Sequence, residues 1–275
     1  MTADLDALRA LVEAHLAERL PPAGGDDPLR LREAMRYAVL SGGKRVRPIL
    51  VLLGARAVAP AAAPSPALLD LSCAMELVHC YSLVHDDLPI MDDDDERRGR
   101  PTVHRVFGEP CALLAGSGLL TLAFEWLADA TAVADTPRVD LAGVLARAAG
   151  HAGMVGGQAR DLALCGAVPD LATLEQLHGE KTAALFAAAP VLGGGFVGAR
   201  SMELACLERF GRAFGVAFQH IDDLDDAEHA RFAPQSMARA RVLLDEARAA
   251  ADALGEGARP LGELARSLGD KLPPA

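Results

Sequence analysis

From Asp86 to Glu96 the chain carries seven acidic side chains in eleven residues, Asp86, Asp87, Asp92, Asp93, Asp94, Asp95 and Glu96, followed at once by Arg97 and Arg98. Two unit charges about 4 Å apart repel by roughly 4 kcal/mol at an effective dielectric near 20. Such a crowd calls for something cationic among the carboxylates. A second acidic group lies in FQHIDDLDDAEH, where Asp222 and Asp226 are four residues apart and share one face of a helix. Asp86 and Asp92 are six apart and would diverge on an unbroken helix, but Pro89 breaks it and lets Asp92 turn back toward Asp86. Carboxylate oxygens gathered this way are hard ligands suited to Mg²⁺, which takes one or two carboxylates and completes its shell with substrate phosphate oxygens. A solvated acidic loop and a solvated helix face have the same composition, and either cluster alone is open to that reading. Two clusters flanked by cations favour the metal.

The cations are placed selectively. Lysine occurs only at Lys44, Lys181 and Lys271 among 27 basic residues, and two of these sit beside glycines in GGKRVRP and HGEKTAA. A lysine ammonium is a compact charge suited to phosphate oxygens. Arg97 and Arg98 can fork onto a diphosphate or simply pair with the neighbouring aspartates. His79 has a core histidine as its alternative, His85 is expected to bond within its own helix, and Glu76 and His104 read as structural. GGQARD is either a kink from two glycines or a site element carrying Gln158 and Asp161.

Helices must hold these groups. In 275 residues, 51% are apolar, 24% charged and only 4% aromatic, with Ala and Leu dominant, which favours helices. The net charge of −11 argues against nucleic acid as a partner. Cys73, Cys80, Cys111, Cys165 and Cys206 are scattered without CxxC spacing, as thiols of a reducing compartment are, so a cytoplasmic location is expected. The N-terminal stretch lacks the pattern of a signal peptide. Thr182–Ala199 is the one stretch that resembles a membrane span; Pro190 and Gly193–Gly195 interrupt it, and it is expected to be a core helix. Helices are predicted over Leu29–Leu40, from Ala67 to His85, and over Glu109–Ala132, Arg138–Met154, Leu171–Leu177, Thr182–Leu192, Ser201–His229 and Ser236–Leu254. No strand-period segment is seen. The expectation is one all-α domain, residues 1–275, of about ten helices.

GGKRVRP, HCYSLVHDDLPIMDDDDERRGRPTVH, GGQARDL, KTAALF and FQHIDDLDD occur in the order of the trans-isoprenyl diphosphate synthases, from about Arg36 to Asp226. The chain resembles that family, in the motif style of bacterial farnesyl and geranylgeranyl diphosphate synthases. The resemblance implies a helical bundle around a deep central cavity, a homodimer, and two aspartate motifs facing each other at the cavity mouth. It assigns Asp86, Asp87 and Asp92 to the first motif and Asp222, Asp223 and Asp226 to the second, together holding three Mg²⁺ on an allylic diphosphate. Asp86, Asp87, Asp92, Asp222 and Asp226 would be the metal ligands. Arg97, Lys181, Thr182 and Gln219 would draw the diphosphate away. Lys44, Arg47, His79 and Arg98 would hold isopentenyl diphosphate, whose double bond attacks C1 of the allylic cation. Tyr81 and Ser82, one turn before the first aspartate, would set product length, and the ring at Tyr81 points to C15 farnesyl diphosphate.

Two departures bear on activity. Ser117, in GSGLL, stands where the family has an acidic residue. After Asp226 the family's lysine-bearing flap is shortened to AEHARFAPQSMARARVLL, leaving Arg231, Arg239 or Arg241 as substitutes. An active short-chain prenyltransferase is therefore weighed against a weak or silent paralogue serving as partner subunit or prenyl-diphosphate binder. A terpene-cyclase-like enzyme is disfavoured by the retained Lys44, Arg47 and Arg98.

Overall fold

A computed structural model describes residues 2–61, 63–132 and 138–273. The described residues form thirteen α-helices, several short tighter or wider turns, and a single antiparallel pairing of Glu96–Arg97 (β1) with Arg100–Pro101 (β2). The fold class is all-α. The chain divides into two compact units, Thr2–Ile49 with Ser65–Val133, and Leu50–Pro64 with Ala134–Ala275.

The first unit holds α1 (Thr2–Arg19), α2 (Leu31–Leu40), the start of α3 (Val46–Val58), α4 (Pro66–Asp86), α5 (Val103–Phe107) and α6 (Glu109–Ala132). Apolar residues of α1 recur every fourth position, so Leu8, Val12 and Leu16 are buried, as is Leu20 just beyond it. Asp70 on α4 ties that helix down, at 2.7 Å from His15 Nε2 and 3.2 Å from Arg19 Nε. α4 starts at Pro66 with the Ser65 hydroxyl accepting the Leu68 N–H at 3.2 Å, an N-cap worth about 1 kcal/mol. It packs on α6, where a Cβ at Gly116 would fall 2.2 Å from His85 Nε2. The missing side chain lets the His85 ring reach the Leu113 carbonyl at 3.1 Å. His85 therefore bonds across to α6, not within its own helix as its position suggests.

The second unit holds the rest of α3, then α7 (Arg138–Ala149), α8 (Met154–Leu164), α9 (Leu171–Leu177), α10 (Ala184–Phe196), α11 (Ser201–Asp225), α12 (Ala233–Asp252) and α13 (Arg259–Gly269). The helix expected over Arg138–Met154 stops at Ala149, and Gly153 opens α8, a helix absent from those predicted. α10 does not end at Leu192. It continues through Gly193–Gly195 because those glycines bring it against α3, where a Cβ at Gly193 would lie 1.8 Å from the Val51 carbonyl oxygen. α11 ends at Asp225, short of His229, as Ala227 and His229 turn left-handed at φ 57° and 46°. This turn delivers Phe232 to a small cluster with Val168 and Leu174.

Two helices, Pro66–Asp86 and Glu109–Ala130, are long and apolar enough to cross a membrane, which corrects the expectation that Thr182–Ala199 alone resembles a span. The apolar window is 72% buried in the protein for the first and 44% for the second. The first is thus a core helix, and α6 keeps an uncovered face carrying Leu113 and Leu114, each about half exposed.

Candidate active site

In the first unit the acidic run turns back as Pro89 predicts. The Asp92 N–H donates to the Asp86 carbonyl at 2.8 Å and the Asp93 N–H to Leu88 at 3.2 Å, with Asp93 left-handed at φ 55°. Asp86 is half-buried and Asp92 exposed. Asp87 takes the opposite course. It is buried, and its Oδ1 accepts Arg97 Nε at 2.6 Å, while Arg97 Nη2 donates to Asp94 at 3.0 Å. Burial raises the Asp87 carboxyl above its usual range against the pull of Arg97. Part of the acidic crowd is thus neutralised from within the chain.

The β1–β2 hairpin, closed by Arg98 at φ 55° and Gly99 at φ 73°, aims Arg97 and Arg98 to different partners. The Arg98 guanidinium donates to the Gly42 carbonyl, and a Cβ at Gly43 would meet its Nη1 at 2.7 Å. Lys44 is exposed, and Arg47 and His79 are half-buried. Burial, then the charges of Arg47, Arg98, Arg97 and Arg45, push the His79 imidazole well below the ordinary histidine range. His79, Arg47 and Arg98 therefore share one basic neighbourhood. A small open pocket beside it is lined by residues including Tyr37, Cys80, Asp87, Arg97, Arg98 and Arg100. Tyr81 is buried edge-on against His85, ring centroids 5.7 Å apart, and the Ser82 hydroxyl donates back to the His79 carbonyl at 2.9 Å. Exposed Ser117 likewise donates to its own helix, at Leu113.

In the second unit, Asp222 is half-buried and Asp226 exposed, joined by the Asp226 N–H donating to the Asp222 carbonyl at 2.9 Å. Asp223 faces the interior. Gln219 Nε2 donates to its Oδ1 at 2.9 Å, the Thr182 hydroxyl donates to Gln219 Oε1 at 2.9 Å, and His178 Nε2 stands 3.0 Å from Oδ2. Burial works to raise the Asp223 carboxyl, and His178 and Gln219 overcome it and leave it below the usual range. Lys181 and Thr182 lie in a π-helical turn, His178–Ala183, a wide turn of the kind frequent at functional sites. α8 presses on it: a Cβ at Gly157 would lie 2.2 Å from the Lys181 nitrogen, and Asp161 pairs with Lys181 Nζ at 2.5 Å. GGQARD therefore packs against the turn that carries Lys181 and is not a mere kink.

Beneath Asp223 lies a pair the sequence reading missed. His220 and His178 meet edge-on at 4.8 Å, and Glu175, clamped by Arg239 Nε at 2.7 Å, comes within 3.6 Å of His220. Burial, then His178, push His220 down to about 4. A histidine depressed in the native state binds its proton first in the unfolded chain. Stability should therefore fall as pH drops from 6.5 toward 4, by on the order of 3 kcal/mol. Melting followed across that window should lose much of its slope in H220F; an unchanged slope would remove this account.

Among the described residues no group of three or more His, Cys, Asp or Glu side chains forms a metal cage. Backbone hydrogen bonds link Asp86 with Asp92 and Asp222 with Asp226, and all four side chains offer oxygen donors only. That donor set fits Mg²⁺, which binds through one or two carboxylates and substrate phosphates, and does not fit an ion needing a complete protein shell. After Asp226 the three candidate arginines are engaged: Arg239 with Glu175, Arg241 with the Pro273 carbonyl, and Arg231 over the Phe232 ring. Lys271 reaches this end of α11, 3.5 Å from Asp225.

Residues 28–232 match the polyprenyl synthetase family. The chain is 45% identical over 203 residues to geranylgeranyl pyrophosphate synthase 7 of Arabidopsis thaliana, covering 73% of this chain and 58% of that one. It is 42% identical over 229 residues to the farnesyl diphosphate synthase of Geobacillus stearothermophilus, covering 82% and 75%. The chain thus spans little more than half the length of the plant relatives it matches. The crystal structure of an FPP/GFPP synthase from Zymomonas mobilis superposes with a TM-score of 0.87 at 37% identity, covering 97% of each chain. A geranyltransferase from Legionella pneumophila also superposes at 0.87, with 32% identity and 98% and 96% covered. With a match over most of its length, this chain belongs to the polyprenyl synthetase family.

Proposed function

We propose that this protein is an active short-chain trans-prenyltransferase that joins isopentenyl diphosphate to dimethylallyl or geranyl diphosphate and releases mainly farnesyl diphosphate. The observation that carries this reading is the return of Asp92 onto Asp86 in the same unit as the basic group of Lys44, Arg47, His79 and Arg98. Asp86, Asp92, Asp222 and Asp226 would hold Mg²⁺, three ions in all on the family pattern, and Asp87 would join them only by releasing Arg97. Bound there, the metal supplies charge stabilisation to a departing diphosphate. Lys181 would bind that diphosphate on leaving Asp161, with Thr182 and Gln219 oriented beside it by Asp223. Lys44, Arg47 and Arg98 would hold isopentenyl diphosphate so that its double bond attacks C1 of the allylic unit as the C1–O bond breaks. A proton is then lost to the departing diphosphate. Catalysis on this reading is electrostatics and positioning.

The two units would act as one domain and pair as a homodimer through the uncovered face of α6. Five free thiols, four of them buried, support placement in the cytoplasm. The buried Tyr81 ring, whose phenol is raised by burial and then by Asp86, supports a short product. Tyr81→Ala should lengthen the main product from C15 to C20 or beyond, read by mass; unchanged length would remove the ring from the length-setting role.

A second reading, a weak partner subunit, is favoured by the engaged arginines after Asp226 and by a relative described as the large subunit of a heterodimeric synthase in Arabidopsis thaliana. One assay separates the two. The protein is incubated with Mg²⁺, isopentenyl diphosphate and each allylic diphosphate. Condensed diphosphates are the expected product, binding without turnover supports the partner subunit, and hydrocarbon or alcohol products defeat both.

A further inference from the structure

We propose that the buried ion pair between Arg45 and Glu76 is a positioning device that sets the loop bearing Lys44 and Arg47 in register with the α4 face bearing His79, and so shapes the isopentenyl diphosphate pocket. The inference rests on the prenyl-transfer reading above and adds two positioning residues to it.

Arg45 is 3% exposed and Glu76 is 2% exposed. Arg45 Nη1 donates to Glu76 Oε1 at 2.8 Å and Nη2 to the Val39 carbonyl at 2.7 Å, with half-exposed Glu13 at 3.7 Å from Nε. Stability alone does not account for this pair. Buried ion pairs replaced by apolar side chains of similar volume commonly leave a protein as stable as before or more so. The backbone also runs against the local preference, since Arg45 is left-handed at φ 50°, a conformation uncommon for a side chain of this size. What the pair fixes is direction. With Arg45 pointing into the core, adjacent Lys44 is turned outward and exposed. Glu76 and His79 are three residues apart on α4 and share a face. The loop's other side is set by Arg98 on the Gly42 carbonyl, so four basic groups are indexed to one another through Arg45 and Glu76. The His79 imidazole is lowered first by burial and then by the charges of Arg47, Arg98, Arg97 and Arg45, which accords with this placement. The segment has a separate anchor, the Ser72 hydroxyl donating to the Pro48 carbonyl at 3.0 Å, so removing the pair need not release α3.

The test is the double variant R45M/E76M, which removes both charges at similar volume. Its melting temperature should stay within a few degrees of wild type. KM and Kd for isopentenyl diphosphate should rise about tenfold or more, while KM for geranyl diphosphate stays unchanged. A folded double variant with wild-type affinity for isopentenyl diphosphate overturns the proposal. Should that variant not fold, E76D keeps the charge and shortens its reach; a KM rise confined to isopentenyl diphosphate supports the proposal, and none overturns it. Calorimetric titration of the wild type with isopentenyl diphosphate keeps the two readings apart. Absence of binding there overturns the function itself, whereas equal binding by wild type and variant overturns only the positioning role.

Discussion

Asp86→Ala and Asp222→Ala should each lower kcat about a thousandfold or more and leave the melting temperature at or slightly above that of the unaltered protein. The activity side follows from chemistry concentrated in a few charged groups, where losing one electrostatic contact typically costs 10²–10³ in rate and losing a metal ligand removes the ion's stabilisation as well. The stability side follows from placement. Asp86 is the last residue of α4 and Asp222 lies in the last turn of α11. A carboxylate there faces the negative end of the helix dipole, unfavourable by roughly 0.3–1 kcal/mol. The helix dipole therefore works against both side chains, as it does for acidic residues retained at helix C-termini for ligands. Asp223→Asn provides the contrast. Buried beside Gln219 and His178, Asp223 should lose stability as well as rate when its charge is removed. Steady-state kinetics with Mg²⁺ and thermal melts on the same preparations check all three variants. An Asp222→Ala enzyme turning over within tenfold of wild type would sink the proposed division of labour.

The sequence reading went furthest where the physics is local. Pro89 cannot continue a helix, so the turn of Asp92 onto Asp86 was legible from the local sequence alone. The spacing of Asp222 and Asp226 likewise fixes their shared face. It failed where the deciding partner is distant. Arg45 and Glu76 are 31 positions apart, and nothing near either one says that both are buried. His178 and His220 lie inside HGEKTAA and FQHIDDLDD, where the lysine and the aspartates hold the attention, and nothing in either stretch says that the two rings meet. Arg97 offered two partners, diphosphate or aspartate, and only folding shows Asp87 taking it. Glycine misled most. GGG in α10 reads as a break, and GG in GGQARD as a kink or a site element, because glycine is a weak helix former, yet in both places the absent side chain permits contact with another helix or turn. That reason lies in the neighbour and leaves no trace in the local pattern.

Gly157→Ala should therefore do the reverse of what glycine replacement in a helix normally does. In an open helix interior the change stabilises by roughly 0.5–1 kcal/mol. Here the new Cβ would lie 2.2 Å from the Lys181 nitrogen, 2.5 Å from its Cα and 2.8 Å from the Glu180 carbonyl carbon. All three are backbone atoms, and no flexible side chain can yield in their place. α8 and the π-helical turn must separate, at a cost of about 1–3 kcal/mol. The turn carries Lys181 and Thr182, and Thr182 begins the chain of hydrogen bonds through Gln219 to Asp223. A shift of about 1 Å in groups that position a reaction can cost a hundredfold, so kcat should fall by about that factor together with the melting temperature. Gly179→Ala is the matched control. It lies in the same turn with nothing within 4 Å of its added Cβ, and both rate and melting temperature should stay close to wild type. If Gly157→Ala instead behaves like Gly179→Ala, α8 does not press on the turn and does not set the position of Lys181. If both variants lose rate, the turn is sensitive to any side chain, and the contact with Gly157 is not the cause.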